Sequence, residues 1–386
     1  MKIAFVYDAV YPWIKGGAEK RIYEIGKRLA MRGDEIHLFG VKWWDGEDVI
    51  EHDGMILHGV CAAQELYVNG RRSIPEALVF SLKLVWHMFR EKFDVIDVSV
   101  FPYFSCFGVK CVSLLRWTPV VFTWHEVWGN YWYEYLGRIG FFGKMVERLV
   151  IKLSSNVVAV SSMTKRDLEG LGMDIQKVHI ISNGVNPDEI AGIEPLEDVC
   201  DILFAGRLIK EKNVDVLLEA VGLVREYIPD VMCCVIGDGP EKERLVEFAH
   251  ARGLLENGNA NANANANVRF LGFLEYGEVI ARMKSSKVLV LPSSREGFGM
   301  VVVEAFACGV PVVTVDAARN AAAELVDGTC GSVVELDAAA VAGAVLALLG
   351  DAGYHEKMAS GAKERAQGYG WDGIVAELRR VYEGLM

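Results

Sequence analysis

Short apolar runs alternate with amphipathic stretches along most of the chain. Residues 2–7 read as a buried strand. After a loop, residues 18–32 place Ile22, Ile25 and Leu29 on one helical face. Residues 35–41 read as the next strand. Ser73-Ile-Pro75 is a helix start, followed by Leu78, Val79, Leu82, Val85, Trp86 and Phe89 as an apolar stripe. Strands are predicted at 94–100, 119–123, 156–160 and 178–181, with helices between them. After Pro195 the pattern restarts. Strands are predicted at 201–205, 231–236, 268–273, 288–292, 311–315 and 331–336, and helices at 213–227 and 240–255. Strands alternating with helices imply right-handed crossovers and parallel sheets. The expected fold is α/β, with two Rossmann-like doubly wound units: an N-terminal domain over 1–185 and a C-terminal domain over 186–370, hinged within 183–198.

Residues 371–385 carry Ile374, Leu378, Val381, Tyr382 and Leu385 at helical spacing, so this last helix must bury one face. Residues 257–267, NGNANANANAN, are low-complexity without an apolar face, which reads as an exposed loop.

Composition narrows the function classes. The 386 residues are 52% hydrophobic and 24% charged, ample for two cores. The net charge of −12 argues against a nucleic-acid binder. The charge is uneven: residues 1–185 hold 22 Lys+Arg and 21 Asp+Glu, leaving 18 and 31 for the remainder. Only the first half can approach an anionic surface without strong repulsion. The eight cysteines form no Cys-x-x-Cys pair and sit mostly in apolar runs, which reads as a reduced cytoplasmic protein. The first residues are too short an apolar run for a signal peptide, and no stretch reaches the length of a membrane-spanning helix.

The richest chemistry lies in residues 293–311, SSREGFGMVVVEAFACGVP. A polar loop there follows one strand and opens a helix. Loops at the carboxyl ends of parallel strands are where open α/β sheets bind ligands. Gly297 and Gly299 allow backbone N–H groups to approach a ligand, and the helix N-terminus favours an anion. Glu296 and Glu304 are acceptor-only groups suited to sugar hydroxyls. The residues 206–213, GRLIKEKN, bring Arg207 and Lys212 to another strand end, where they can neutralise a diphosphate. No Asp-x-Asp occurs, so a metal clamp on the phosphates has no support, and no metal site is expected.

The frame EGFGMVVVEAFACGVPVV resembles the signature of the family 4 glycosyltransferases. These are retaining enzymes of the GT-B architecture, with two Rossmann-like domains facing each other across a cleft. The resemblance implies that Glu296 binds donor-sugar hydroxyls and Glu304 the nucleotide ribose, with Gly297, Phe298, Gly299, Met300 and Val301 around the donor. Arg207 and Lys212 match the family's pyrophosphate pair. Gly237-Asp-Gly239-Pro240 resembles its GxGP turn on the nucleotide side. Lys15-Gly16-Gly17-Ala18-Glu19 resembles its GG(A/x)E loop near the phosphates and acceptor. His125, just past a strand, matches a histidine beside the donor sugar, and the terminal helix matches one that packs back on the first domain.

The implied function is metal-independent, retaining transfer of a sugar from a nucleotide-diphosphate sugar to a glycan or lipid-linked acceptor, without a cofactor. A sugar-nucleotide epimerase and a non-catalytic sugar-nucleotide-binding protein stay open. The segment GFFGKMVERLVIKL at 140–153 mixes apolar residues with Lys144, Arg148 and Lys152. It fits either a core-facing helix or peripheral contact of the N-terminal domain with a membrane.

Overall fold

The computed structural model describes residues 1–63, 67–68, 71–255 and 266–386. Most of the low-complexity loop at 257–267 lies outside the described residues. Its last residue is described and is buried rather than exposed: Asn267 donates from Nδ2 to the carbonyls of Pro229 and Val231 at 3.0 and 2.9 Å. The chain divides into two compact units, Met1–Asn183 with Trp371–Met386, and Gly184–Gly370.

In the first unit β1 (Lys2–Val6), β2 (Glu35–Lys42), β3 (Val49–His52), β4 (Met55–Ala62), β5 (Val95–Ser99), β6 (Val120–Trp124), β7 (Asn156–Ala159) and β8 (Val178–Ile180) form one sheet. Its order is β8-β7-β6-β5-β1-β2-β4-β3. All pairs are parallel except β3 with β4, a hairpin turning at Asp53-Gly54 with Val49 opposite His58. The hydrophobic pattern missed this hairpin, because β3 is a short, half-polar edge strand. The strand order reverses at β1, which lies between β2 and β5.

The helices of this unit are α1 (Gly17–Met31), α2 (Ile74–Met88), α3 (Phe104–Arg116), α4 (Tyr131–Leu136), α5 (Gly140–Leu153) and α6 (Ser162–Gly170). Helix α1 buries Ile22, Ile25 and Leu29. Helix α2 starts where Ser73 Oγ accepts from Glu76 N. It covers only part of the predicted stripe, Val85 and Phe89 packing against the core. Ala77, Phe80, Leu84 and Met88 face the core, while Leu82 and Trp86 are 77% and 67% exposed. The helix is apolar on nearly all sides, so periodicity could not tell its inner face from its outer one.

The second unit contains β9 (Cys200–Ala205), β10 (Cys233–Ile236), β11 (Val268–Gly272), β12 (Ser286–Leu291), β13 (Val312–Val315) and β14 (Gly331–Val334). Its sheet is wholly parallel, in the order β11-β10-β9-β12-β13-β14. Here the order reverses between β9 and β12. The strands are near-continuous apolar runs, as fully covered parallel strands require. The helices are α7 (Pro187–Ala191), α8 (Val214–Arg225), α9 (Lys242–Ala251), α10 (Tyr276–Lys284), α11 (Met300–Cys308), α12 (Ala338–Gly350) and α13 (Ala352–Gln367). Helices α8 and α12 pack together, as do α10, α11 and α13.

Cys200 on β9 and Cys234 on β10 are joined as a disulfide, which corrects the expectation of a fully reduced chain. Two adjacent parallel strands bring together cysteines 34 residues apart, a pairing that sequence spacing does not reveal. Cys61, Cys106, Cys233 and Cys330 are buried thiols.

Helix α14 (Trp371–Glu383) belongs to the first unit. It buries Trp371, Ile374, Val375, Leu378 and Tyr382 and packs on α1. Tyr382 Oη donates to Asp97 Oδ2 at 2.6 Å deep in the sheet, and Arg379 Nε meets Asp34 Oδ2 at 3.1 Å. Among the described residues no single helix is long and apolar enough to cross a membrane.

Candidate functional site

The strand order reverses between β9 and β12, and the carboxyl ends of strands at such a reversal are the place where doubly wound sheets take ligands. Two loops lie side by side there. One follows β9 and carries Arg207 and Lys212; the other follows β12 and leads through Glu296 to α11. They are stitched by backbone and side chain. Ser294 N and Oγ both donate to Glu211 O, at 2.9 and 3.1 Å. Asn213 Nδ2 donates to Pro292 O at 3.0 Å and to Glu211 O at 3.2 Å. Asn213 adopts φ +46°, a left-handed conformation that its short polar side chain tolerates.

Across this seam Lys212 Nζ and Glu296 Oε1 form an ion pair, both side chains mostly buried. Arg207 stands at the exposed edge of the same loop. Glu296 is held from behind: Arg295–Glu296 pairs in parallel with Arg319–Asn320, setting Glu296 opposite Asn320. Asn320 is buried and donates to Thr314 Oγ1 and Val315 O at 3.1 and 2.8 Å. Sequence reasoning passed over Asn213 as a stitch, Ser294 and Asn320. Only their contacts reveal them.

The glycines have distinct reasons. A Cβ at Gly237 would run into Gly206 O, and one at Gly239 into Leu208 O. The turn after β10 thus lies directly against the Arg207 loop, and Leu208 N donates to Asp238 O at 2.9 Å. This packing requires glycine with or without a ligand. Gly299 caps α11 at φ +97°, and a Cβ there would sit 2.7 Å from Ala322 Cβ. Gly297, Met300, Val301 and Glu304 are half-buried around the start of α11. The first N–H groups of that helix have no partner within it and suit an anion. Phe298 is buried against Tyr369, ring centroids 6.0 Å apart, so it packs the loop.

In the first unit His125 follows β6. Its Nε2 lies 3.2 Å from Ser99 Oγ at the end of β5, and its carbonyl accepts from Thr164 Oγ1 at 3.5 Å. Burial, and secondarily the Arg21 charge, push its pKa down to about 3, so the ring is neutral. Arg21 is itself buried, donating to Ser182 O and to Asn183 Oδ1. Gly16 and Gly17 open α1 and are exposed; the Glu19 carboxylate folds back over Gly16. His125, Gly16 and Gly17 thus belong to the first unit, and every other predicted site residue to the second.

Comparison with known proteins gives the family and the fold class. Residues 187–365 match the model "Glycosyl transferases group 1", and residues 15–189 match "Glycosyltransferase Family 4". The phosphatidyl-myo-inositol mannosyltransferase of Mycobacterium leprae is 34% identical over 236 residues, 58% of this chain and 58% of that protein. The match therefore spans little more than half the length of that relative. Sucrose-phosphate synthase of Thermosynechococcus elongatus superposes with a TM-score of 0.81 at 20% identity, over 100% of this chain and 98% of that one. Anabaena HepE in complex with UDP-glucose gives 0.75 at 20% identity, over 100% of both chains. The fold is therefore GT-B, built from two Rossmann-like units, and the chain belongs to the family 4 glycosyltransferases.

Proposed function

We propose that the protein transfers a sugar from a nucleotide-diphosphate sugar to a glycan or lipid-linked acceptor, with retention of configuration and without a metal. One observation carries this reading: the Arg207–Lys212 loop and the Glu296-to-Glu304 segment are bound together at the strand reversal between β9 and β12. Arg207, Lys212 and the N-terminus of α11 offer positive charge to a departing diphosphate, a preorganised stabilisation that needs no proton transfer. Lys212 is neutralised by Glu296. A donor with both phosphates and hydroxyls satisfies the two at once: Lys212 turns to phosphate and Glu296 accepts from sugar hydroxyls. Glu304, one turn into α11, is assigned the ribose. Neutral His125 is assigned a hydrogen bond to the donor sugar rather than a charge. A glycosyltransferase is preferred over an epimerase or a silent binding protein because both loops are intact. Retention by front-face attack, with the leaving phosphate as base, is the mechanism that the family resemblance suggests.

For the acceptor, the outer face of α2, α3 and α5 supports a membrane partner. Leu82, Trp86, Leu114, Trp117, Phe141 and Phe142 are all exposed on it. Lys83, Lys110, Arg116, Lys144, Arg148 and Lys152 lie on the same helices. Exposed apolar side chains with cationic ones on the same helices suit an anionic bilayer surface. We therefore read the protein as peripheral at an anionic membrane surface.

The deciding experiment is a donor assay. Activity should survive EDTA, and Glu296→Ala should lose at least about tenfold in kcat/KM, the loss of one charge-assisted hydrogen bond. Complete EDTA sensitivity restored by Mg²⁺ would sink the metal-free mechanism. Glu304→Ala should weaken binding of the bare nucleoside diphosphate in calorimetry. Co-sedimentation with phosphatidylglycerol vesicles but not phosphatidylcholine vesicles, lost in Leu82→Asp/Phe142→Asp, checks the membrane reading.

A further inference from the structure

Two histidines meet inside the first unit, towards the amino ends of its strands and away from His125. His37 on β2 and His58 on β4 lie on one face of two adjacent parallel strands, with His58 opposite Phe39. They are 2% and 9% exposed. His37 Nδ1 and His58 Nε2 face each other at 2.8 Å. Phe39 stacks on His58, ring centroids 4.4 Å apart, and Phe93 stands edge-on to both His37 and Phe39. These rings hold the two imidazoles nitrogen to nitrogen. Glu91, in the connection between α2 and β5, brings Oε2 to 3.7 Å from His37 Nε2. One ring nitrogen from each histidine and one Glu91 oxygen lie within 4.8 Å of one another.

Two ring nitrogens this close share a single proton: one ring donates N–H and the other offers a lone pair. The direction is set from behind. His37 Nε2 lies 2.9 Å from Glu35 Oε1, a carboxylate oxygen that only accepts, so Nε2 carries the proton of the neutral ring and Nδ1 turns its lone pair inward. An imidazole whose far N–H is held by a carboxylate is the arrangement in which histidines ligate metals. A dication can take the place of the proton between the rings once His58 carries its own proton on Nδ1. With metal–nitrogen bonds of about 2.0–2.1 Å in a tetrahedron, the two nitrogens part to roughly 3.3 Å, a small turn of either ring. The surrounding charge favours it. Lys2 Nζ lies 2.9 Å from Glu35 Oε1 and 2.6 Å from Glu91 Oε2, one cation set against two carboxylates. Both carboxylates are partly exposed, which gives an ion a path from water.

We propose that His37 Nδ1, His58 Nε2 and a carboxylate oxygen of Glu91 bind a transition-metal dication, Zn²⁺ foremost, with Glu35 as the group that orients His37 and water as the fourth ligand. Two imidazoles and one carboxylate suit Zn²⁺, whereas Mg²⁺ takes oxygen ligands in an octahedron. The ion ties β2, β4 and the α2–β5 connection to one another. It stabilises the first unit and takes no part in the metal-free transfer proposed above, since the diphosphate is assigned to loops of the second unit. The two histidines stand 21 residues apart, and only the adjacency of their strands brings them together.

Calorimetry and thermal melting of the tag-free, EDTA-dialysed full-length chain test this. Zn²⁺ should bind one ion per chain and raise the melting temperature, and Mg²⁺ at the same concentration should do neither. His58→Gln and Glu91→Gln should each weaken Zn²⁺ binding at least tenfold. Glu35→Gln should weaken it about 10–100-fold, as loss of an orienting carboxylate does. Glu91→Gln alters a partly exposed side chain, so it reports on the site even where His58→Gln fails to fold. No Zn²⁺ binding by the unmodified chain, or an affinity unchanged in Glu91→Gln and Glu35→Gln, which marks an adventitious ion only, would overturn the proposal.

Discussion

The two units use the same sheet logic and hold charge in opposite ways. At the strand reversal of the second unit the main charges cancel: Lys212 sits on Glu296, and the loops carrying them are bonded to each other. At the corresponding reversal of the first unit Arg72 pairs with buried Asp8, and one carboxylate oxygen each of Asp8 and Glu76 has no partner among the described residues. The second arrangement is a finished structure that a ligand must reopen. The outer surfaces differ too, for the first unit turns tryptophan, leucine and phenylalanine outward along α2, α3 and α5.

The largest expected effect breaks the charge balance of the second unit. Lys212→Ala or Arg207→Ala should lower turnover on the order of 10²-fold or more, as removal of a preorganised transition-state partner does. Lys212→Ala should also lower the melting temperature, because Glu296 is left mostly buried and unpaired. Arg207→Ala should lower the melting temperature less, since Arg207 is exposed while Lys212 is mostly buried. Equal activity loss with equal destabilisation in both variants would contradict the distinction.

The glycines sharpen the comparison through backbone contacts. Gly237→Ala drives a methyl group into the Gly206 carbonyl and should destabilise the second unit by roughly 2 kcal/mol or more, seen as lost hydrogen-exchange protection in β9 and β10. Gly16→Ala meets only the movable end of Glu19. It should barely change stability while displacing that carboxylate. Comparable destabilisation by both would mean that the Gly16 turn is rigid.

Tyr382→Phe removes a donor from buried Asp97 and should cost about 1–3 kcal/mol. Protection should fall in α14, β5 and α1, with the second unit unaffected.

The smallest effect is a pH dependence. Burial raises the folded-state values of Glu19 and Glu76 to about 7 from an ordinary 4.5. The folded chain therefore binds protons more tightly than the unfolded one. The stability from these groups is fully present below about pH 4.5 and is lost as pH rises through about 7. Glu76→Gln removes one of the two titrations. Its melting temperature relative to the unmodified chain should rise between pH 4.5 and 8. A difference that is flat across that window would mean Glu76 is not buried.

Much of the second unit's site was legible because its elements are local. Glu296 to Glu304 and Arg207 to Lys212 are each one loop and the turn that follows, and strand-loop-helix chemistry within ten residues survives in a linear reading. The strands were legible for the same reason: β9 and β12 are unbroken apolar runs whose pattern needs no partner to be recognised. The inner face of α2 was not, since Leu82 and Phe80 are equally apolar and only the packing of β4 and α3 decides which is covered. The Cys200–Cys234 bond depends on strand adjacency.

The sequence by itself determined the alternation that makes two parallel sheets, the loops that carry the cations and carboxylates, and the family. Tertiary structure alone decided that Lys212 meets Glu296, that Asn320 backs Glu296, and that Tyr382 plugs onto Asp97 from the far end of the chain. It alone set Asp8, just beyond β1, against Arg72 in the chain ahead of α2. Periodicity records which face of an element avoids water, but not which distant element covers it. Charges far apart in the chain acquire their partners and their shifted proton affinities only when the sheet brings those elements side by side.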